Sequence, residues 1–168
     1  RAVAMAREAP ADDSAGLADA DQLAKSWDVA ALELADPAAD PAASDLEADA
    51  RRAEAAALGV KGISQIDSAS ASYSRRRIHI AQSNGFIGGY ERTSRAVSAV
   101  AITGEGLGME RDWAAESRVF QADLPSPEEI GRLAAERTLA RSGARKPKTG
   151  AFPVLFDERV ASTLIGHI

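Results

Sequence analysis

ISQIDSASASYSRRRIHIAQSNGFIGGYERTSRAVSAVAITGEGLGMERDWAAESRVFQAD, residues 63–123, decides the fold. It contains no proline and is rich in Ser, Thr, Val, Ile and aromatic residues, the composition of extended chain. Ser83-Asn84-Gly85 supplies the positive φ angles of a tight hairpin, and Gly104-Glu105-Gly106 supplies them again. Two turns divide the stretch into three consecutive antiparallel strands, a meander. In the third, Met109, Arg111, Trp113, Ala115 and Val119 share one face, and Glu110, Asp112, Glu116 and Arg118 share the other. In the first, Ser68, Ser70, Ser72 and Ser74 fall in line with Ile66, Ile78 and Ile80. Each strand is expected to exceed twice the usual length of about 5–6 residues, so the ribbons should bend, bulge or break.

Helices flank this block. Residues 1–9 read as the end of a helix stopped by Pro10, and residues 11–16 as a polar connector. Residues 17–40 are acidic and alanine-rich, with Trp27, Leu32 and Leu34 as their large apolar groups, and Asp36-Pro37 and Asp40-Pro41 oppose helix continuation. Residues 44–58 predict a helix capped by Ser44 with Glu47 three residues on and Gly59 at the exit. A second helix starts at Ser126, with Pro127 in first position, Glu129 closing a capping box and Gly143 at its end. Its apolar stripe is Ile130, Leu133 and Ala134. Residues 144–149 form a basic linker. Phe152-Pro153-Val154-Leu155-Phe156 reads as a buried strand leading into an amphipathic segment with Val160, Leu164 and Ile165. The expected class is α+β: an antiparallel meander of long bent strands packed with helices, plus the start of a second domain.

Composition bounds the function. Of the 168 residues, 45% are hydrophobic, but alanine dominates that share and aromatics are 5%, so the core rests on few large side chains. A net charge of −5 argues against direct nucleic-acid binding, which wants clustered Lys and Arg. The absence of cysteine excludes disulfides and thiolate chemistry. No apolar run approaches a membrane span, and no basic-then-apolar leader is present. The chain begins at Arg1 and stops at Ile168 inside apolar-periodic segments, as expected of an internal piece of a longer protein.

Chemistry-bearing motifs are sparse. His79 and His167 stand far apart with no second ligand at helical spacing, so each reads as a surface or packing histidine. No serine occupies a Gly-x-Ser-x-Gly setting, and Gly104-Glu105-Gly106-Leu107-Gly108 lacks the spacing and context of a dinucleotide loop. Arg75-Arg76-Arg77 and the basic linker read as solvated charge. The serine ladder of the first strand could accept an extended peptide by β-augmentation or pair with a strand elsewhere in the whole protein.

From about Gly59 onward the chain resembles the TldD/PmbA family, known as modulators of DNA gyrase and as metalloprotease-like proteins. The resemblance rests on the ordered blocks Ser72-Tyr73-Ser74-Arg75, Gln82-Ser83-Asn84-Gly85-Phe86, Gly108-Met109-Glu110-Arg111-Asp112, Leu124-Pro125-Ser126-Pro127-Glu128-Glu129-Ile130-Gly131 and Gly150-Ala151-Phe152-Pro153-Val154-Leu155-Phe156. It implies that residues 1–15 close an N-terminal domain, 16–149 form the central domain and 150–168 begin the C-terminal one.

In the TldD-like branch this last strand leads to His-Glu-x-x-x-His, which binds metal through its histidines and uses the glutamate as base. Laid on this chain without gaps, the motif falls on Asp157-Glu158-Arg159-Val160-Ala161-Ser162, so only Glu158 remains. Asp157 could bind a metal; Ser162 is a poor zinc ligand. Five-residue spacing puts the motif ends roughly 140° apart on a regular helix, so such a site needs a distorted turn. The resemblance therefore implies the PmbA (TldE) branch: a cytoplasmic, non-catalytic subunit, with no catalytic, cofactor-binding or metal-binding residue here. Its expected partners are a TldD-type subunit, which would carry the zinc, or a second copy of itself, together with small or unfolded peptides; no membrane is involved. Two alternatives stand beside this: an active metallopeptidase with its site further downstream, and a non-proteolytic modulator of gyrase.

Overall fold

A computed structural model describes residues 1–10, 12, 14 and 16–167. Part of the expected connector at residues 11–16, and Ile168, lie outside the described residues. The fold is α+β: helices α1 (Ala2–Glu8), α2 (Ala43–Leu58), α3 (Pro127–Ala140) and α4 (Glu158–Ile165) accompany one three-stranded antiparallel sheet. Its strands β1 (Ile63–Ala81), β2 (Ile87–Thr103) and β3 (Glu110–Arg118) follow one another in space as in sequence, the expected meander.

The first hairpin closes through Gln82–Phe86, where Gln82 N–H donates to Phe86 O and Gly85 sits at φ 93°. The second connection is wider than a tight hairpin. A 3₁₀ turn at Gly106–Gly108 lies between the strands, with Gly104 at φ 78°. β1 and β2 reach 19 and 17 residues, but β3 has only 9, short of the expected doubling. It ends at Arg118 opposite Arg95, and the next outward-facing amide of β2, Thr93 N–H, donates instead to Leu34 O. The proline-punctuated segment before α2 therefore continues the sheet edge where β3 leaves it.

Register explains a second departure. Pairing shifts between Ile63 and Gln65 and again between Ile66 and Ser68. Each bulge adds a residue to β1 and reverses the side that later residues face. Ile66 consequently packs on the core with Ala71, while Ser68, Ser70 and Ser72 lie exposed on the opposite face. The serines are not in line with Ile66. On β3 the buried face carries Asp112 and Ala114, while Met109 and Trp113 are about half exposed.

Helices α2 and α3 cover one face of the sheet. Asp49, Ala53 and Ala57 recur every fourth residue of α2 and are buried, as are Ile130, Gly131, Ala134, Ala135 and Thr138 of α3. The core joins Ala53, Val97, Ala99, Ala101, Ala114, Ile130 and Ala134. Alanine on both helices and on the sheet lets backbones approach closely, which compensates for the shortage of large side chains.

Cap chemistry sets the helix starts. Ser126 and Glu129 form the expected reciprocal box, with Ser126 N–H donating to Glu129 Oε2 at 2.9 Å and Glu129 N–H to Ser126 Oγ at 3.3 Å. α2 begins earlier than Ser44: Ala42 is its N-cap, and Asp45 reaches back to accept Ala42 N–H at 3.0 Å. The acceptor three residues into the helix thus outweighs the missing cap hydroxyl.

The basic triplet is not uniformly solvated. Arg75 is largely withdrawn from solvent, donating to Asp40 Oδ1 at 2.9 Å, Glu91 Oε1 at 2.5 Å and the carbonyls of Asp36 and Ala38. Arg77 also joins Glu91, at 2.8 Å. The acidic segment 36–40 supplies oxygen atoms that a sequence pattern alone does not place. Trp27 packs on Phe86 with ring centroids 5.7 Å apart. Asn84 Nδ2 donates to Ala18 O, so residues 18–40 run along the far half of the hairpin.

Residues 152–156 correct another expectation. They form no strand, and Phe152, Val154 and Leu155 are 58%, 67% and 99% exposed. An apolar run becomes a buried strand only when a sheet edge receives it, and among the described residues none does. No helix among the described residues is long and apolar enough to cross a membrane.

Candidate functional site

The motif-equivalent residues sit where the exposed segment 152–156 turns into α4. Asp157 is the N-cap, accepting Arg159 N–H at 3.0 Å, and its main-chain oxygen receives Val160 and Ala161 N–H in regular helical bonds. Glu158 and Ser162 stand one turn apart on α4, both exposed. The helix is regular through all eight residues, and Gly166 N–H reaches Ser162 O at 3.2 Å. A regular helix diverges the two motif ends.

Arg159, which the sequence did not single out, organises this corner. It donates to Asp157 Oδ1 at 2.9 Å and to Asp112 Oδ1 at 2.8 Å, and its guanidinium lies 5.3 Å from the ring centroid of Trp113. Asp112, on the helix-facing side of β3, also accepts Trp113 N–H at 2.7 Å. Its own N–H donates to buried Thr138 Oγ1 at 3.1 Å. Burial pushes the Asp112 carboxyl up, but the Arg159 hydrogen bond, the Trp113 N–H and the charges of Arg159 and Arg141 outweigh it and hold it below the usual range. Asp157 drops to about 2, chiefly through the Arg159 side chain and then the Arg159 N–H.

These donors do not fit a zinc ion. The Asp157 carboxylate is engaged by a guanidinium, Glu158 is one exposed carboxylate, and a serine hydroxyl is a weak ligand for this metal. Among the described residues no group of three His, Cys, Asp or Glu is placed to hold a metal. His79 lies exposed on β1 opposite Gly89, and His167 follows α4, so the two belong to separate elements. Arg159 latches the start of α4 to β3 through its charge-assisted pair with Asp112.

That latch predicts a pH response. Because Asp157 is depressed from 3.8 to about 2 in the folded state, its contribution is complete above about pH 4 and fades as pH falls toward 2. Trp113 fluorescence, read in a Trp27→Phe background, should change over pH 4 to 2. Arg159→Gln should remove that transition and give the undocked signal at neutral pH.

The other face of the sheet is open. Ser70, Ser72, Ala96, Ser98, Ala115 and Ser117 line a shallow cleft of about 280 Å³, with Ser70 and Ser98 hydroxyls 2.8 Å apart. A second cleft of about 400 Å³ follows toward the hairpin tip, lined by Ser74, Arg76, Ile78, Tyr90, Arg92 and Ser94. Sequence reading missed this grouping. Its signal was register: Arg76 and Arg92 each lie eight residues from Asn84, the centre of the hairpin, and therefore face one another.

Two helices pack on one face of a three-stranded antiparallel meander, its other face carries small hydroxyl-bearing residues, and Arg159 ties the start of α4 to Asp112 of β3. Residues 36–142 match the sequence profile of the PmbA/TldA metallopeptidase central domain. The chain belongs to the PmbA/TldD family. It is 34% identical, over 99% of its length, to Metalloprotease PmbA of Escherichia coli O157:H7, and spans 37% of that protein. A candidate modulator of DNA gyrase from Bacteroides thetaiotaomicron superposes with a TM-score of 0.70 at 28% identity, covering 88% of this chain and 34% of its own. A second, from Thermotoga maritima, shares the fold at a TM-score of 0.58 and 19% identity, covering 66% of this chain and 25% of its own.

Proposed function

We propose that this chain is part of the non-catalytic PmbA/TldE-type subunit of a cytoplasmic heterodimeric metalloprotease that acts on small or unfolded peptides. The observation that carries this reading is the corner at α4: Asp157 and Arg159 pair with each other where the family's metalloprotease motif aligns, and Ser162 stands in place of its second histidine. In this reading a TldD-type partner holds the zinc, which polarises the scissile carbonyl and activates water. This subunit completes the chamber wall with the open face of its meander. The small side chains of that face and the outer edge of β1, unpaired among the described residues, support a role in handling extended chain.

Metal content of the full-length protein, alone and co-purified with a TldD-type partner, tests the proposal. No metal alone and about one zinc per pair is the expected result. Stoichiometric zinc in the protein alone overturns it, as does a stable complex with gyrase and none with a TldD-type subunit.

A further inference from the structure

Arg76 and Arg92 are direct cross-strand partners on the open face. Like charges in that position repel, with Cβ atoms about 4.5–5.5 Å apart. The adjacent arginines of the triplet are neutralised: Arg75 and Arg77 both bind Glu91, from the opposite side of the ribbon. Among the described residues, neither Arg76 nor Arg92 has an ion-pair or hydrogen-bond partner. Glu116 of β3, at the margin of the neighbouring cleft, is in register with buried Val97 and so faces the other side of the sheet, where it is bound to Arg118 at 2.6 Å. Two forked cations therefore line one cleft without an anion among the described residues. Tyr90 and Ile78 wall one side of the cleft, and the Ser74 and Ser94 hydroxyls the other.

The geometry points to Arg76 and Arg92 as a binding site for the carboxylate of an extended peptide. Guanidinium forks match a planar carboxylate with paired N–H donors, and two of them bracket it from both strands. A peptide anchored there runs along the strand direction into the serine-lined cleft, whose small side chains leave room for main chain and offer hydroxyls to it. The carboxylate is either the C-terminus or an Asp or Glu side chain. The site rests on the peptide-handling reading above and specifies which peptides are preferred.

Binding to the full-length protein without a TldD-type partner tests the site. The probes are one neutral-dye-labelled octapeptide of Ala, Ser and Thr in three forms: free acid, C-terminal amide, and amide with one internal Glu. The free acid should bind about tenfold more tightly than the amide at low salt. Equal binding of the Glu-containing amide and the free acid would assign the site to any carboxylate; preference for the free acid alone would assign it to chain termini. The double variant R76Q/R92Q should bring all three within about twofold of each other, while Arg51→Gln, on the far face of α2, should leave the preference intact.

Removing Arg92 alone should leave Tm unchanged or raise it, because repulsion is relieved. Equal affinity of acid and amide for the unmodified protein overturns the site. So does tighter binding of inorganic phosphate than of the free-acid peptide, or a fall in Tm for Arg92→Gln, which would reveal a carboxylate partner within the protein itself. Zinc in the isolated subunit would sink the heterodimer reading without touching this result, so the two fail separately.

Discussion

Gly131→Ala should destabilise the protein by about 2–3 kcal/mol, and thermal unfolding should record a fall in Tm of roughly 5–10 °C. On helix propensity alone the substitution is favourable by about 1 kcal/mol. Packing reverses the sign. A Cβ at Gly131 would collide with the backbone carbonyl oxygen of Ala53 and approach its carbonyl carbon to 2.9 Å. Both groups sit on regular helices, so no side-chain rotation relieves the clash; α2 and α3 must separate. Separation opens the contact among Ala53, Ile130 and Ala134, where no large side chain can fill the gap. An unchanged Tm would mean that the helices do not meet at this point.

Asp49→Ala should cost about 3 kcal/mol, the second large effect. Asp49 is 6% exposed and accepts Arg52 Nη2 at 2.7 Å and Arg95 Nη2 at 2.5 Å. The Arg95 side chain is 19% exposed, and its buried Nε already lacks a partner. Truncating Asp49 strands that guanidinium between α2 and the sheet with Gln121 as its remaining acceptor. Partial solvent access keeps the loss at the low end of the range for a broken buried pair. Asp49→Ala with Arg95→Met should recover most of it, because an apolar side chain of similar length needs no counter-charge. Equal stability of the single and double variants in a double-mutant cycle would contradict this account.

Local signals made much of the fold readable. Asn84-Gly85 and Gly104-Glu105-Gly106 placed the strand breaks, and Ser126 with Pro127 and Glu129 placed a helix start, because each acts through geometry within four residues. Features set by distant partners were not readable. Arg75 looked like solvated charge because the oxygens of Asp36, Ala38 and Asp40 come from a segment more than 30 residues away. The bulges near Ile66 and Ser68 reversed the side taken by the serines, and no residue type marks a bulge. Phe152 to Phe156 met the composition of a buried strand, yet a strand needs an edge to join. At the candidate site the motif positions could be counted in sequence, but Arg159 acquired its role only when Asp112 and Trp113 were brought beside it.

The strap before α2 has a consequence for biosynthesis. Asp36 is sealed into the fold by partners that come later: Thr93 Oγ1 accepts Asp36 N–H at 2.8 Å, and Gln121 N–H donates to Asp36 Oδ2 at 2.8 Å across 85 residues. A ribosome adding about 5–20 residues per second needs roughly 4–17 s to deliver that last donor. Through that interval the strap emerges with nothing to lie on, Trp27 and Leu34 included, while the long hairpin is still being made. Nascent chains stalled before residue 93 should therefore be cut by protease within residues 17–40, and those released past α3 should be protected there.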